Sequence, residues 1–120
     1  KDGVKTGFGK VGKDYTTEEA YELARLSGFM VLSRVKGALI AAGEPEEDPW
    51  GRVKGLVKLT GFVNCVDTFT EQSKVLNGAS DLMIEIMGDA GNHARSAVGV
   101  NVLPLNACVE VEAVFEIADA

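Results

Sequence analysis

The feature that most constrains the fold is an alternation of apolar and charged side chains near the C-terminal end of the chain. In the segment Cys108–Ile117, apolar residues occupy every second position and three glutamates stand among the residues between them. Successive side chains of a β-strand point to opposite faces of a sheet, so the segment predicts a strand with one apolar and one polar face. The apolar face requires a layer that covers it.

The preceding segment Ala94–Val102 alternates in the same way, and a short turn separates the two. Matching the apolar faces predicts an antiparallel hairpin in which Asn101 lies opposite Cys108. The same register places Gly99 opposite Glu110. The sequence therefore predicts that these two strands are neighbours in the sheet.

In this register one face of the hairpin carries an arginine, two carboxylates and small residues between them: Arg95, Glu110, Glu112, Ala97 and Gly99. An arginine binds a carboxylate through its planar fork of N–H groups, and a nearby carboxylate can orient a water molecule for attack. The pattern favours a small anion pocket. An exposed hairpin face with ordinary surface charges is the alternative interpretation.

A long helix is predicted before the strands, over Thr17–Ala42. Thr16 is followed three residues later by Glu19, which is the capping-box pattern that marks a helix start. Two glycines, Gly28 and Gly37, lie inside this helix and each costs about 1 kcal/mol relative to alanine. We interpret them as positions at which another element approaches closely.

The middle of the chain predicts one more strand and one more helix. Arg52–Asn64 is rich in valine, leucine, threonine and phenylalanine, which favours a strand. Glu71–Met87 has an apolar face at helical spacing, with Thr70 or Ser73 as the candidate N-cap. Near the N-terminus, Val4–Phe8 is a candidate short edge strand.

Length and composition limit the kinds of protein to consider. At 120 residues with 46% hydrophobic content, we expect residues 1–120 to form a single domain. The sequence contains no apolar run long enough to cross a membrane, and its net charge of −6 argues against a nucleic-acid backbone as the main ligand. Cys65 and Cys108 show no metal-ligand spacing, so we interpret them as small apolar side chains and expect a cytoplasmic location. Trp50 is expected at the edge of the core.

Three short motifs stand out between residues 78 and 118, namely Arg95-Ser96, Leu103-Pro104 and Val109-Glu110-Val111-Glu112-Ala113. With these motifs, residues 78–118 resemble the C-terminal half of the RidA/YjgF family, the reactive-intermediate enamine/imine deaminases. It extends back over nearly the whole chain, and it is greatest to a subgroup marked by the segments NGASDL and HARSAVGV.

This resemblance implies a chorismate-mutase-like α+β sandwich, in which a mixed sheet packs on two helices. It further implies a homotrimer whose sheets form a central barrel, with ligand sites in clefts between subunits. The strand pair with which the family opens is not found in this sequence. We therefore expect a domain that lacks its N-terminal strands.

For function, the resemblance implies hydrolytic deamination of small 2-enamine or 2-imine carboxylic acids, which releases ammonia and a 2-keto acid. Arg95 would bind the substrate carboxylate and Glu110 would position the water, with no metal and no organic cofactor. Asn77, Ala97 and Gly99 would line the substrate pocket. The partner is then a small carboxylate-bearing metabolite.

Two other functions remain open at this stage. A trimer that binds or senses a small carboxylate without turning it over would use the same pocket, and Ala97 stands where the family's deaminases often carry a cysteine. An endoribonuclease or translation-inhibitor activity is disfavoured by the negative charge and by the lack of a histidine constellation. His93 is the only histidine, and we interpret it as a loop or strand-edge residue.

Overall fold

The structure, a computed structural model, describes residues 6–119 and contains two helices packed on one face of a mixed sheet. In chain order its elements are α1 (Thr17–Ala41), β1 (Val53–Asn64), α2 (Gln72–Met87), β2 (Ala94–Val100) and β3 (Val109–Ile117). Short 3₁₀ turns precede β2 (Gly88–Gly91) and β3 (Pro104–Asn106). The predicted α+β class is confirmed, and each of these five elements was predicted to within one residue except the end of β2, which lies two residues before its predicted position.

The strand order corrects one prediction. The sheet runs β2-β1-β3, with β1 parallel to β2 and antiparallel to β3. The predicted hairpin is therefore wrong: Val63 of β1 lies between Gly99 and Val109, and Asn101 does not lie opposite Cys108. The physical reason is that the connection after β2 crosses the end of β1 and delivers β3 to the far edge.

The predicted start of α1 is confirmed in atomic detail. The backbone N–H of Glu19 donates to Thr16 Oγ1 at 3.1 Å, and the backbone N–H of Thr16 donates to Glu19 Oε1 at 2.9 Å. The start of α2 was predicted less well. Its N-cap is Glu71, with no side-chain cap bond, so neither Thr70 nor Ser73 has the predicted capping role.

The core lies between the sheet and the helices and consists of two clusters. The first cluster contains Val11, Tyr15, Ala20, Ala24, Val63, Cys65, Val75 and Cys108. The second cluster contains Leu32, Leu56, Leu59, Leu76, Ala79, Leu82 and Met83. Both cysteines are buried free thiols, and Trp50 packs at the margin of the second cluster, as the sequence predicted.

The N-terminal segment contacts the end of β1 and the start of β3. Of the predicted edge strand Val4–Phe8, residues 4 and 5 lie outside the described part of the chain. Phe8 forms a single antiparallel bridge with Ala107, and Val11 bridges to Cys65. Neither helix in residues 6–119 has the length and apolar character needed to cross a membrane.

The two helices cross at glycines. A methyl group on Gly78 of α2 would collide with the backbone carbonyl oxygen of Tyr21 in α1, and one on Gly28 would press on Leu82 and Ala79. The predicted close approach is therefore confirmed at Gly28. It is wrong at Gly37, where an added methyl group would have no heavy atom within 4 Å apart from its own stretch of helix backbone.

We predict opposite effects for two glycine-to-alanine substitutions in the helices. Gly78→Ala should lower the free energy of unfolding by about 2 kcal/mol, because the new methyl group meets backbone that cannot rotate away. Gly37→Ala should raise it by about 0.5–1 kcal/mol, because only helix propensity changes there. Urea denaturation followed by circular dichroism measures both, and equal stability of the two variants would contradict the close crossing.

Candidate active site

Arg95 lies near the start of β2, on the side of the sheet that the helices cover. It pairs with Leu59, which is fully buried in the second cluster, so both side chains point toward the helices. The guanidinium reaches α2, where Nη1 donates to Ser80 Oγ at 3.1 Å and Nη2 donates to the Ser73 carbonyl oxygen at 3.4 Å. Arg95 is nevertheless exposed. Two of its five N–H groups are held by α2, which orients the fork toward solvent.

Glu110 lies on the opposite side of the sheet. Its neighbours Val109 and Val111 pack against the core clusters, so Glu110 itself points away from the helices. The prediction that Arg95 shares a face with Glu110 and Glu112 is therefore wrong. Each strand takes its face from its pairing with β1, and that pairing places the arginine and the glutamates on opposite sides.

The two predicted small pocket residues follow Arg95 along the same face of β2. Ala97 packs against the second cluster, so it does not leave the open space for a ligand that was predicted at this position. Gly99 leaves room for Gln72 Nε2 and Cys65 Sγ, which occupy the space that a side chain would need. Gly99, Gln72, Cys65 and Asn101 line a depression of about 420 Å³ at the carboxyl ends of the parallel strands, and neither Ala97 nor Arg95 belongs to its lining.

Asn77 is not brought to the same place. It lies on α2 between Ser73 and Ser80, but it lines a separate depression with Tyr21 and Lys74 on the outer side of the helix pair. Its predicted role in the substrate pocket is not supported by a contact with Arg95 among the hydrogen bonds of the described residues.

Sequence reasoning missed two residues that contact the Arg95 site. Ser80 Oγ lies 2.9 Å from His93 Nε2, and His93 Nδ1 lies 2.6 Å from the carbonyl oxygen of Gly91. Ser80 therefore joins His93 and Arg95 in one polar cluster. The spacing of His93 and Arg95, two residues apart in extended chain, was the available signal that both point the same way.

The hydrogen-bond directions in this cluster follow from the donor and acceptor inventory. A carbonyl oxygen only accepts, so in the neutral imidazole Nδ1 carries the proton and Nε2 is the acceptor. Ser80 then donates its hydroxyl proton to Nε2 and accepts from Arg95. The cluster runs in one direction, from the guanidinium through the hydroxyl to the ring. Within residues 6–119, no group of three or more histidine, cysteine or acidic residues is arranged to hold a metal ion.

Cys65 lines the depression beside Gly99. Cys108 is a buried thiol of low reactivity. Burial raises the pKa of its thiol to about 11, and the negative charge of Asp14 acts in the same direction. Since the thiolate is the nucleophile, Cys108 has little reactivity at neutral pH.

We therefore predict a shifted titration of the Cys108 thiol. In a Cys65→Ser background, the ¹³C NMR shift of the Cys108 β-carbon should titrate near about pH 11 in folded protein. In urea-unfolded protein the same shift should titrate near about pH 9, as for an ordinary cysteine. A midpoint near pH 9 in the folded protein would contradict the raised pKa.

Comparison with known proteins identifies the class to which this fold and site belong. The family described as "YjgF/chorismate_mutase-like, putative endoribonuclease" matches residues 2–117. The chain belongs to this family, which confirms the YjgF resemblance and its fold.

Individual relatives agree with this assignment. Protein TCP17 of Trypanosoma cruzi is 44% identical over 110 residues, which are 91% of this chain and 64% of that protein. The chain thus spans less than two thirds of the length of TCP17. The crystal structure of protein Atu1372 of Agrobacterium tumefaciens, described as of unknown function, is 39% identical with a TM-score of 0.84, covering 99% of this chain and 71% of its own. A structure from Shewanella oneidensis, described as a "putative endoribonuclease", is 36% identical with a TM-score of 0.77, covering 91% and 67%.

Proposed function

We propose that this chain hydrolyses small 2-enamine or 2-imine carboxylic acids to ammonia and 2-keto acids. The observation that carries the proposal is the exposed guanidinium of Arg95, held in place by Ser80 and Ser73 of α2. A guanidinium oriented in this way is suited to the two oxygens of a carboxylate. Membership of the YjgF family supports the choice of this chemistry.

Hydrolysis of an imine needs little from a protein beyond orientation of the substrate. An enamine tautomerises to an imine, whose carbon is electrophilic, and a water molecule adds to that carbon before ammonia leaves. Binding of the carboxylate by Arg95 fixes the imine carbon relative to the protein. Positioning and proton transfer then supply the rate enhancement.

In the proposal, Glu110 acts on a substrate bound to a neighbouring copy. The sheet separates Glu110 from Arg95 of the same copy, so the pair can meet only across a boundary between chains. The uncovered sheet face carries apolar side chains that are 43% exposed at Val98 and 56% exposed at Val114. Such a face favours packing against further copies, and we propose the homotrimer that the family resemblance implies.

Ammonia release from freshly generated 2-iminobutyrate tests the proposed deamination. Wild-type protein should accelerate it, and Arg95→Ala should lower kcat/KM by about 30- to 100-fold, as expected for loss of a charge-assisted pair. Lys36→Ala, at an exposed cation of α1, is the control and should keep wild-type activity.

The outcomes separate the candidate functions. Binding of 2-ketobutyrate in calorimetry without acceleration of imine hydrolysis would favour a carboxylate-binding protein. Absence of both binding and turnover would overturn the proposal.

The mass of the protein in solution tests the proposed homotrimer. Light scattering should give a mass about three times the 12.7 kDa of the chain. Replacing Val98 and Val114 with lysine should shift the mass toward that of one chain, because the charges would be buried between copies. A wild-type mass near 12.7 kDa would rule out a Glu110 contribution from another copy.

Cleavage of RNA is a second candidate function, and one observation favours it. His93 and Arg95 lie on either side of the Ser80 hydroxyl, which combines a proton acceptor with a phosphate-binding group. The net charge of −6 weighs against a polyanionic substrate. RNA cleavage that survives rigorous nuclease removal, and that is lost in Arg95→Ala but kept in Lys36→Ala, would support this function over the deaminase.

A further inference from the structure

We propose that Ser80 and His93 form a proton relay for the substrate that Arg95 binds. The inference rests on the proposed deamination and adds to it the groups that move protons. Glu110 of the same copy lies across the sheet, whereas Ser80 and His93 lie on the helix side with Arg95 and are placed to transfer protons beside a water that Glu110 of a neighbouring copy positions. The Ser80 hydroxyl is the acid–base group that directly contacts the Arg95 guanidinium.

The geometry gives the relay both of its links. Ser80 Oγ lies 2.9 Å from His93 Nε2, which is hydrogen-bonding distance for proton transfer. The carbonyl oxygen of Gly91, 2.6 Å from Nδ1, holds the ring in the tautomer that leaves Nε2 free to accept. This arrangement of hydroxyl, imidazole and orienting acceptor is the general pattern by which a histidine activates a hydroxyl group.

A ligand bound to Arg95 is within reach of the relay. Nη1 bears two hydrogens, one of which goes to Ser80 at 3.1 Å. An oxygen bound to the other hydrogen lies about 5 Å from Ser80 Oγ, which leaves space for one water molecule between the substrate and the hydroxyl. Ser80 and His93 are half-buried while Arg95 is exposed. The relay is therefore most exposed to solvent at the end where substrate binds.

The proton balance of the hydrolysis fits one relay used in both directions. Water positioned by Glu110 of a neighbouring copy adds to the carbon of the iminium and loses a proton to Ser80 Oγ, as the Ser80 proton passes to His93 Nε2. The proton returns through Ser80 to the amine nitrogen of the carbinolamine. The C–N bond breaks, ammonia leaves with the bonding pair, and the proton of the carbinolamine hydroxyl passes through Ser80 to His93 as the C=O bond forms. The departing ammonia takes up that proton and leaves as ammonium, which returns the ring of His93 to its neutral form.

The alternative for these contacts is a purely structural one. Ser80 could serve only to hold Arg95, with His93 holding Ser80. A clamp of that kind would affect substrate binding and therefore KM, whereas a relay affects proton transfer and therefore kcat. The two roles also differ in whether an external base can replace the ring.

The test measures ammonia release from 2-iminobutyrate with wild-type protein and four variants. His93→Ala, which removes no bond to Arg95, should lower kcat about 100-fold with KM little changed, as for loss of a general acid–base. Ser80→Ala should lower kcat to a similar extent and also raise KM, because it removes one of the two bonds that hold Arg95. Ser80→Thr, which keeps the hydroxyl, should recover much of the rate, and added imidazole should rescue His93→Ala but not Ser80→Ala. Ser33→Ala, at an exposed serine of α1, is the matched control.

The relay is overturned if Ser80→Ala and His93→Ala raise KM with kcat unchanged, or if both behave like wild type. A second measurement does not depend on turnover. Nitrogen NMR of the ring of His93 should show a protonated Nδ1 and a bare Nε2, and the opposite tautomer would overturn the relay even in an active enzyme. Wild-type protein without turnover overturns the proposed deamination itself, which is a separate result.

Discussion

The buried side-chain amide of Asn64 holds the end of β1 to the connection that leads into β3. Asn64 is fully buried; its Nδ2 donates to Asn106 Oδ1 at 2.9 Å and to the Ala107 carbonyl oxygen at 3.0 Å, and its Oδ1 accepts from Lys10 Nζ at 2.9 Å. An unsatisfied amide at this depth would cost about 1–3 kcal/mol, so these bonds fix the path of the chain. Leu105 and Asn106 adopt left-handed backbone with φ near 60°, which turns the chain past the end of β1.

The direction of that turn decides the chemistry available to one copy of the chain. Because β3 is carried to the far edge of β1, its glutamates take the uncovered face, while Arg95 on β2 points toward α2. A direct hairpin between β2 and β3 would have placed the arginine and the glutamates together. The actual topology gives one copy an exposed guanidinium with Ser80 and His93 beside it, and leaves Glu110 facing outward.

Local patterns in the sequence were sufficient to predict the helices and strands, but they were insufficient to predict the order of the strands in the sheet. The capping box at Thr16 and the alternation in β3 depend on neighbouring residues, and both predictions were confirmed. The order of the strands depends on how a buried amide is satisfied 42 residues along the chain, and alternation is equally compatible with either order. The candidate site shows the same division. Arg95 could be singled out from the sequence and the family resemblance, whereas its contact with Ser80 depends on how α2 lies against the sheet.

The position of α2 is in turn set by glycines that never touch the site. Gly61 of β1 has no room for a methyl group under Leu76, and Gly78 has none against the backbone of α1, so α2 lies close to both layers. Ser80 follows Gly78 by two residues, and the distances from Ser80 to His93 and Arg95 depend on how closely α2 packs against the sheet and α1. A methyl group under α2 would move it by a few tenths of an ångström or more, enough to weaken hydrogen bonds of 2.9 and 3.1 Å. The packing that stabilises the fold thus also aligns the hydroxyl, the ring and the guanidinium.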